Sequence, residues 1–156
     1  MFTSIRFNLN WQWTAIKLQH DRPTDSSISP NDTVEVSMRK HMNGIVDMDF
    51  LVVAVRRLLR VAEQAKKSGC DVNKKVKPAI KEFETHWVHL IDARNSLEHV
   101  SGHGTFLLPM SSSSGDWQFG MPGNSINMHE LFKDAQILAR LISKMIEPYE
   151  PQQAVP

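Results

Sequence analysis

Three stretches of the chain repeat apolar residues at the spacing of a helix, and nothing else in the sequence constrains the fold as much. The first runs from about Asp47: Leu51, Val55, Leu58, Leu59, Ala62 and Ala65 make one stripe, ending near Ser68 and Gly69, where a C-terminal glycine is expected. The second begins near Pro78, a residue tolerated in a first turn. Its stripe of Ile80, Phe83, Trp87, Leu90, Ile91 and Leu97 runs to Gly102. The third starts at Asn127, which together with Glu130 resembles a capping box, and continues through Leu131, Ala135, Leu138, Ile142 and Met145 until Pro148 stops it. A mainly α fold, a helical bundle, follows. At 156 residues the chain has room for one core. Residues 1–156 are therefore read as a single domain: an N-terminal extension over 1–42, the bundle over 43–147 and a tail over 148–156.

The opening segment has a different period. Ile5, Phe7, Leu9, Trp11 and Trp13 alternate with Arg6, Asn8, Asn10 and Gln12, the signature of a half-buried strand. Val34, Val36 and Met38 alternate with Glu35 and Ser37, as a short partner strand would. A helix is the alternative, because Ile5, Leu9, Trp13 and Ile16 also share one helical stripe. It would leave Phe7, Trp11 and Leu18 on the opposite face, so the strand pair is the expectation. Between the second and third helices lies an insertion, residues 103–125, too long for a plain bundle loop. Phe106 to Met110 and Trp117 to Met121 are expected to pair there as hairpin arms around Ser111 to Ser114. The fold class is thus mainly α with small antiparallel β elements.

Charge and cysteine content exclude several classes. A formal net charge of +1 rules out a wholesale basic coat or an acidic tail, and 41% hydrophobic against 22% charged residues suits a globular chain. The asymmetry is local. The segment from Arg56 to Lys81 is strongly basic, with Arg56, Arg57, Arg60, Lys74 and Lys75 as candidate RNA-binding residues and Glu63 and Asp71 as its acids. The single Cys70 forms no internal disulfide and no thiolate zinc site. The longest apolar run, Phe50 to Val55, is too short to span a bilayer, and polar residues interrupt any leader-like stretch at the N-terminus. No membrane association is expected, and the cytoplasm is the expected location.

The chemistry concentrates in Ile91 to His99, reading I-D-A-R-N-S-L-E-H. On a continuous second helix, at about 100° per residue, Arg94 falls in the middle of the stripe made by Phe83, Trp87, Leu90 and Leu97, with Glu98 about 40° away. A guanidinium in an apolar stripe needs a partner, because burying it alone costs several kcal/mol. Either Glu98 neutralises it, as an ordinary ion pair, or the stripe faces a cleft where another anion is met. Asn95 and His99 share the neighbouring face. An imidazole that can exchange a proton beside a guanidinium that can hold a phosphate is minimal equipment for metal-free cleavage of RNA, whose own 2′-hydroxyl serves as nucleophile.

Arg94-Asn95-x-x-x-His99 resembles the R-polar-x-x-x-H motif of the HEPN superfamily, helical domains of many prokaryotic toxin and phage-defence ribonucleases. The resemblance covers about Asp47 to Glu147. It implies a helical bundle, a homodimer that brings two copies of the arginine and histidine into one cleft, and metal-independent RNA cleavage. It gives Arg94 the scissile phosphate, His99 the role of acid or base, and Asn95 the orientation of one or the other, with Glu98 supporting Arg94. An antitoxin protein, such as a small nucleotidyltransferase, is the partner it suggests.

Other sites are weaker. His86-x-x-His89 and His99-x-x-x-His103 have helical ligand spacings, but no carboxylate or cysteine stands at a complementary position, so no metal or other cofactor is expected. The serine run lacks the glycine-flanked turn of a serine nucleophile, and no phosphate-cradling glycine loop occurs.

Overall fold

Thr33 sets the start of the longest element. Its extended backbone and its side-chain oxygen, which accepts from the Val36 N–H at 3.3 Å, cap a 34-residue helix, Val34–Lys67. In the computed structural model, which describes residues 2–21, 29–69, 71, 74–90, 109–111, 117–121 and 124–149, this is the second of four helices. They are α1 (Phe2–Asp21), α2 (Val34–Lys67), α3 (Val76–His86) and α4 (Met128–Ile146), the last followed by a 3-10 turn, Glu147–Tyr149. Between α3 and α4 lie strands β1 (Pro109–Ser111), β2 (Trp117–Met121) and β3 (Asn124–Asn127). The described chain is mainly helical, and none of its helices is long and apolar enough to cross a membrane.

The expected N-terminal strand pair is replaced by helix. Residues 5–13 belong to α1, and residues 34–38 are the first turns of α2, which runs unbroken across residues 42 and 43. The reason is that α1 meets both patterns at once. As a helix it buries Ile5, Leu9 and Ile16 and lays Trp13 against Phe132 of α4, ring centroids 5.3 Å apart, while every interior amide bonds locally. Phe7, Trp11 and Leu18 are left exposed. In α2 the capping hydroxyl of Thr33 outweighs a short alternation whose Val34 and Met38 remain exposed.

The C-terminal end of α2 follows the sequence. The Ser68 hydroxyl donates to the Ala65 carbonyl at 2.6 Å, and Gly69 takes φ +79°, the left-handed conformation that glycine adopts without a side-chain clash. Lys66 and Lys67 sit where cations favour the helix dipole. The start of α3 is capped from outside: the Asp71 carboxylate accepts from the amides of Lys75 at 2.8 Å and Val76 at 3.0 Å. Here the expected second helix is interrupted: α3 ends at His86, Trp87 has non-helical dihedrals (φ −107°, ψ 43°), and the Leu90 amide bonds back to the Trp87 carbonyl at 2.9 Å in a tight turn, while residues 91–102 of the expected stripe lie outside the described residues.

α4 begins where the capping residues place it, with the Asn127 side chain accepting from the Glu130 amide at 3.0 Å. It buries Leu131, Ala135, Leu138 and Ile142 along one stripe. That stripe meets Leu51, Val55, Leu58 and Ala62 of α2 and Ile80 and Phe83 of α3 in one core. The three strands form an antiparallel sheet in the order β1-β2-β3, with Pro109 opposite Phe119, Ser111 opposite Trp117, and Phe119 opposite Ile126. Residues 106–108 and 112–116 lie outside the described residues.

Candidate functional site

The catalytic candidates of the sequence, Arg94, Asn95 and His99, and the supporting Glu98 lie outside the described residues, which stop at Leu90 before resuming at Pro109. One part of their expected geometry is nonetheless corrected. The angular count that set Arg94 among Phe83, Trp87 and Leu90 requires one continuous helix, and the turn over Trp87–His89 breaks the phase.

What the structure does build is a polar cluster at the mouth of that turn. Trp87 is buried, so its indole N–H needs an acceptor, and Asp134 of α4 supplies one at 2.9 Å. The same carboxylate oxygen lies 3.0 Å from Nδ1 of His86, whose ring stacks on Trp87 with centroids 4.7 Å apart. A carboxylate facing Nδ1 favours the tautomer with its proton there and turns Nε2 outward. Beside the cluster is a cleft of about 150 Å³ between α3 and α4, lined by Ala79, Glu82, Phe83, His86, Asp134, Ile137 and Leu138. Sites that enclose an organic ligand start at about 300 Å³. The cleft suits a small ion or a single protruding group.

Asp134 carries no signal in the sequence. The Trp87–Asp134 bond joins residues 47 apart, and no motif links them. His86 stands out in the sequence through its spacing to His89, yet its structural partner is a carboxylate. Among the described residues no group of three histidines, cysteines or carboxylates is placed to hold a metal ion.

The candidate RNA-binding residues are held on two elements. Arg57 and Arg60 are exposed on α2, Arg56 is half-buried there, and Lys74 and Lys75 are exposed between α2 and α3. Lys74 itself adopts a positive φ of 52°. Not every cation in this basic stretch is available to a phosphate: the Lys66 ammonium sits 2.8 Å from Glu63.

A second cross-helix cluster ties α1 to α4. His20 Nε2 and His129 Nδ1 are 3.2 Å apart, and the His20 ring stacks on Phe132 at 3.8 Å. It orients α1 rather than lining the cleft, whose walls come from α3 and α4.

No family model, curated protein or solved structure matches this chain.

Proposed function

We propose that the chain is a metal-independent endoribonuclease of HEPN type, a toxin or phage-defence component that works as a homodimer in the cytoplasm. The observation that carries the reading is the motif Arg94-Asn95-x-x-x-His99, which follows α3 and precedes α4 in a mainly helical chain. In the proposed reaction His99 accepts the proton of a ribose 2′-hydroxyl as that oxygen bonds to phosphorus. The bond from phosphorus to the 5′-oxygen breaks, and a second acid, His99 of the partner subunit, protonates the leaving oxygen. Arg94 stabilises the charge on the pentavalent phosphate, and the products are a cyclic phosphate and a 5′-hydroxyl. Asn95 and Glu98 hold the phosphate and Arg94 in place. Arg56, Arg57, Arg60, Lys74 and Lys75 contribute phosphate affinity without sequence choice.

The test is incubation of purified protein with mixed RNA in excess chelator, alongside His99→Ala and Arg94→Ala. Cleavage that survives chelation and disappears in both variants is the expected result. Intact RNA throughout would overturn the reading, and cleavage abolished by chelator would point to metal-dependent hydrolysis.

A second reading is a HEPN-like dimerisation, nucleotide-binding or protein-interaction module without activity. Large apolar side chains exposed on α1 and α2 favour it, Phe7, Trp11, Met42 and Phe50 among them, because such residues are what a docking partner covers. An antitoxin, such as a small nucleotidyltransferase, is the partner proposed under the first reading.

A further inference from the structure

α1 has two apolar faces. At about 100° per residue, Ile5, Leu9 and Ile16 point to the core, while Phe7, Trp11 and Leu18 point the opposite way. The outward three are 67%, 63% and 57% exposed. The rings of Phe7 and Trp11 stack, with centroids 6.4 Å apart and planes 21° from parallel, so they form one apolar surface. Ser4 and Thr14 flank the three residues about 40° to either side of their centre, Asp21 at the helix end lies about 60° from it, and Arg6 and Lys17 lie about 100° or more away. An uncharged, aromatic centre is the composition of an interface core.

We infer that this face of α1 is the seam of a two-fold contact with a second copy of the chain, the two α1 helices lying antiparallel. A two-fold axis presents a helix with its own reverse, so the pattern of contact residues must read alike in both directions. Phe7, Trp11, Thr14 and Leu18 satisfy this: the steps between them are four, three and four residues. Phe7 then meets Leu18 of the partner subunit, and Trp11 lies over Thr14 of the partner subunit, whose small side chain leaves room for the indole.

Area supports a second copy and also shows what else must join. With about 200 Å² for a large aromatic side chain, the exposed parts of Phe7, Trp11 and Leu18 amount to roughly 400 Å² per chain. Pairing this face with itself removes roughly 800 Å² from water, short of the roughly 1,200 Å² at which specific dimers begin. The adjoining helix supplies the remainder. α2, which packs along α1, carries Met38, Met42, Val46 and Phe50 exposed at successive four-residue steps. Half-exposed side chains of that size add roughly 400 Å² or more per chain, which brings the total to the size of a standard interface.

The inference rests on the exposed face and not on the motif, so the two can fail separately. A dimer through α1 that leaves RNA intact ends the nuclease reading alone; a dimer that cleaves RNA but is indifferent to Phe7→Glu and Trp11→Glu ends this one alone. Sedimentation equilibrium of the full chain through the micromolar range is expected to give twice 17.8 kDa. Phe7→Glu and Trp11→Glu should each weaken association about 100-fold, with unchanged circular dichroism because neither ring is in the core. Direction is read by cross-linking in a Cys70→Ser background: Phe7→Cys and Leu18→Cys chains should form a disulfide when mixed, and neither alone. A wild-type chain of single mass throughout, a dimer indifferent to both Glu variants, or a cross-link formed by Phe7→Cys alone would each overturn the proposal.

Discussion

Trp87 donates its indole N–H to Asp134 at 2.9 Å, and this bond fastens the end of α3 to the middle of α4. It anchors the turn from which the chain continues toward Ile91–His99. Removing the acceptor leaves a buried donor without a partner, which costs about 1–3 kcal/mol. Asp134→Ala should therefore lose stability in that range by urea denaturation, and Asp134→Asn, which keeps an acceptor oxygen, should lose clearly less. Equal losses in the two variants would show that the bond is not what holds the turn.

Ile16 and Leu18 are two residues apart and should respond in opposite ways. In a strand both would share a face; in α1 Ile16 is fully buried and Leu18 is exposed. Ile16→Ala is expected to cost about 2–5 kcal/mol. Leu18→Ser, measured on the monomer at high dilution, should stay within about 0.5 kcal/mol of wild type.

The capping side chains of α2 and α4 give a paired test. Thr33→Ala and Asn127→Ala should each cost about 1 kcal/mol, because each removes an acceptor from an amide at a helix start. Asn127→Asp should restore the loss, since the carboxylate accepts the same Glu130 amide and suits the positive end of the helix.

Asp32 should titrate below an ordinary aspartate. Its carboxylate receives the Lys40 ammonium at 2.8 Å first, and the Ser29 amide at 2.7 Å second, and both hold the carboxyl down. A carboxyl depressed in the folded state adds stability above its unfolded value, near 3.9, and that stability is lost as the pH falls through the folded one. A carbon-13 titration of the Asp32 carboxyl should show a midpoint below 3.8, moving up in Lys40→Met. Concentrated salt should weaken the effect of Lys40 on this half-buried group near the surface.

Under the proposed function, Arg57→Glu with Arg60→Glu should weaken RNA binding across sequences alike and flatten its salt dependence by roughly one unit of slope for each phosphate no longer neutralised. Turnover on saturating RNA should be unchanged, as neither residue belongs to the Arg94–His99 motif. A change confined to turnover, with affinity intact, would remove both from the RNA track.

Elements that declare themselves through local chemistry were legible in the sequence. Asn127 and Pro148 bound α4, and Ser68 with Gly69 closes α2, because caps and stops act within one turn of the residue that carries them. The N-terminus was not legible for the opposite reason. A helix with apolar residues on two faces satisfies period 2 as well as period 3.6, and only the packing of Ile5, Leu9 and Ile16 against the bundle decides between them. Likewise the stripe from Ile80 to Leu97 does not reveal the turn at Trp87, which depends on a carboxylate 47 residues away. Of the candidate site, the exposed Arg57, Arg60, Lys74 and Lys75 could be read from charge alone, whereas the Asp134–His86 pairing could not.

α2 is 34 residues long and α1 is 20, a difference of about 20 Å of rod at 1.5 Å per residue. α1, α3 and α4 all pack against this rod, and α4 also touches both α1 and α3. Clipping off the first helix would not trim the protein from its edge. It would strip a jacket from its spine, so a protease that cuts between α1 and α2 severs a covering and not an appendage.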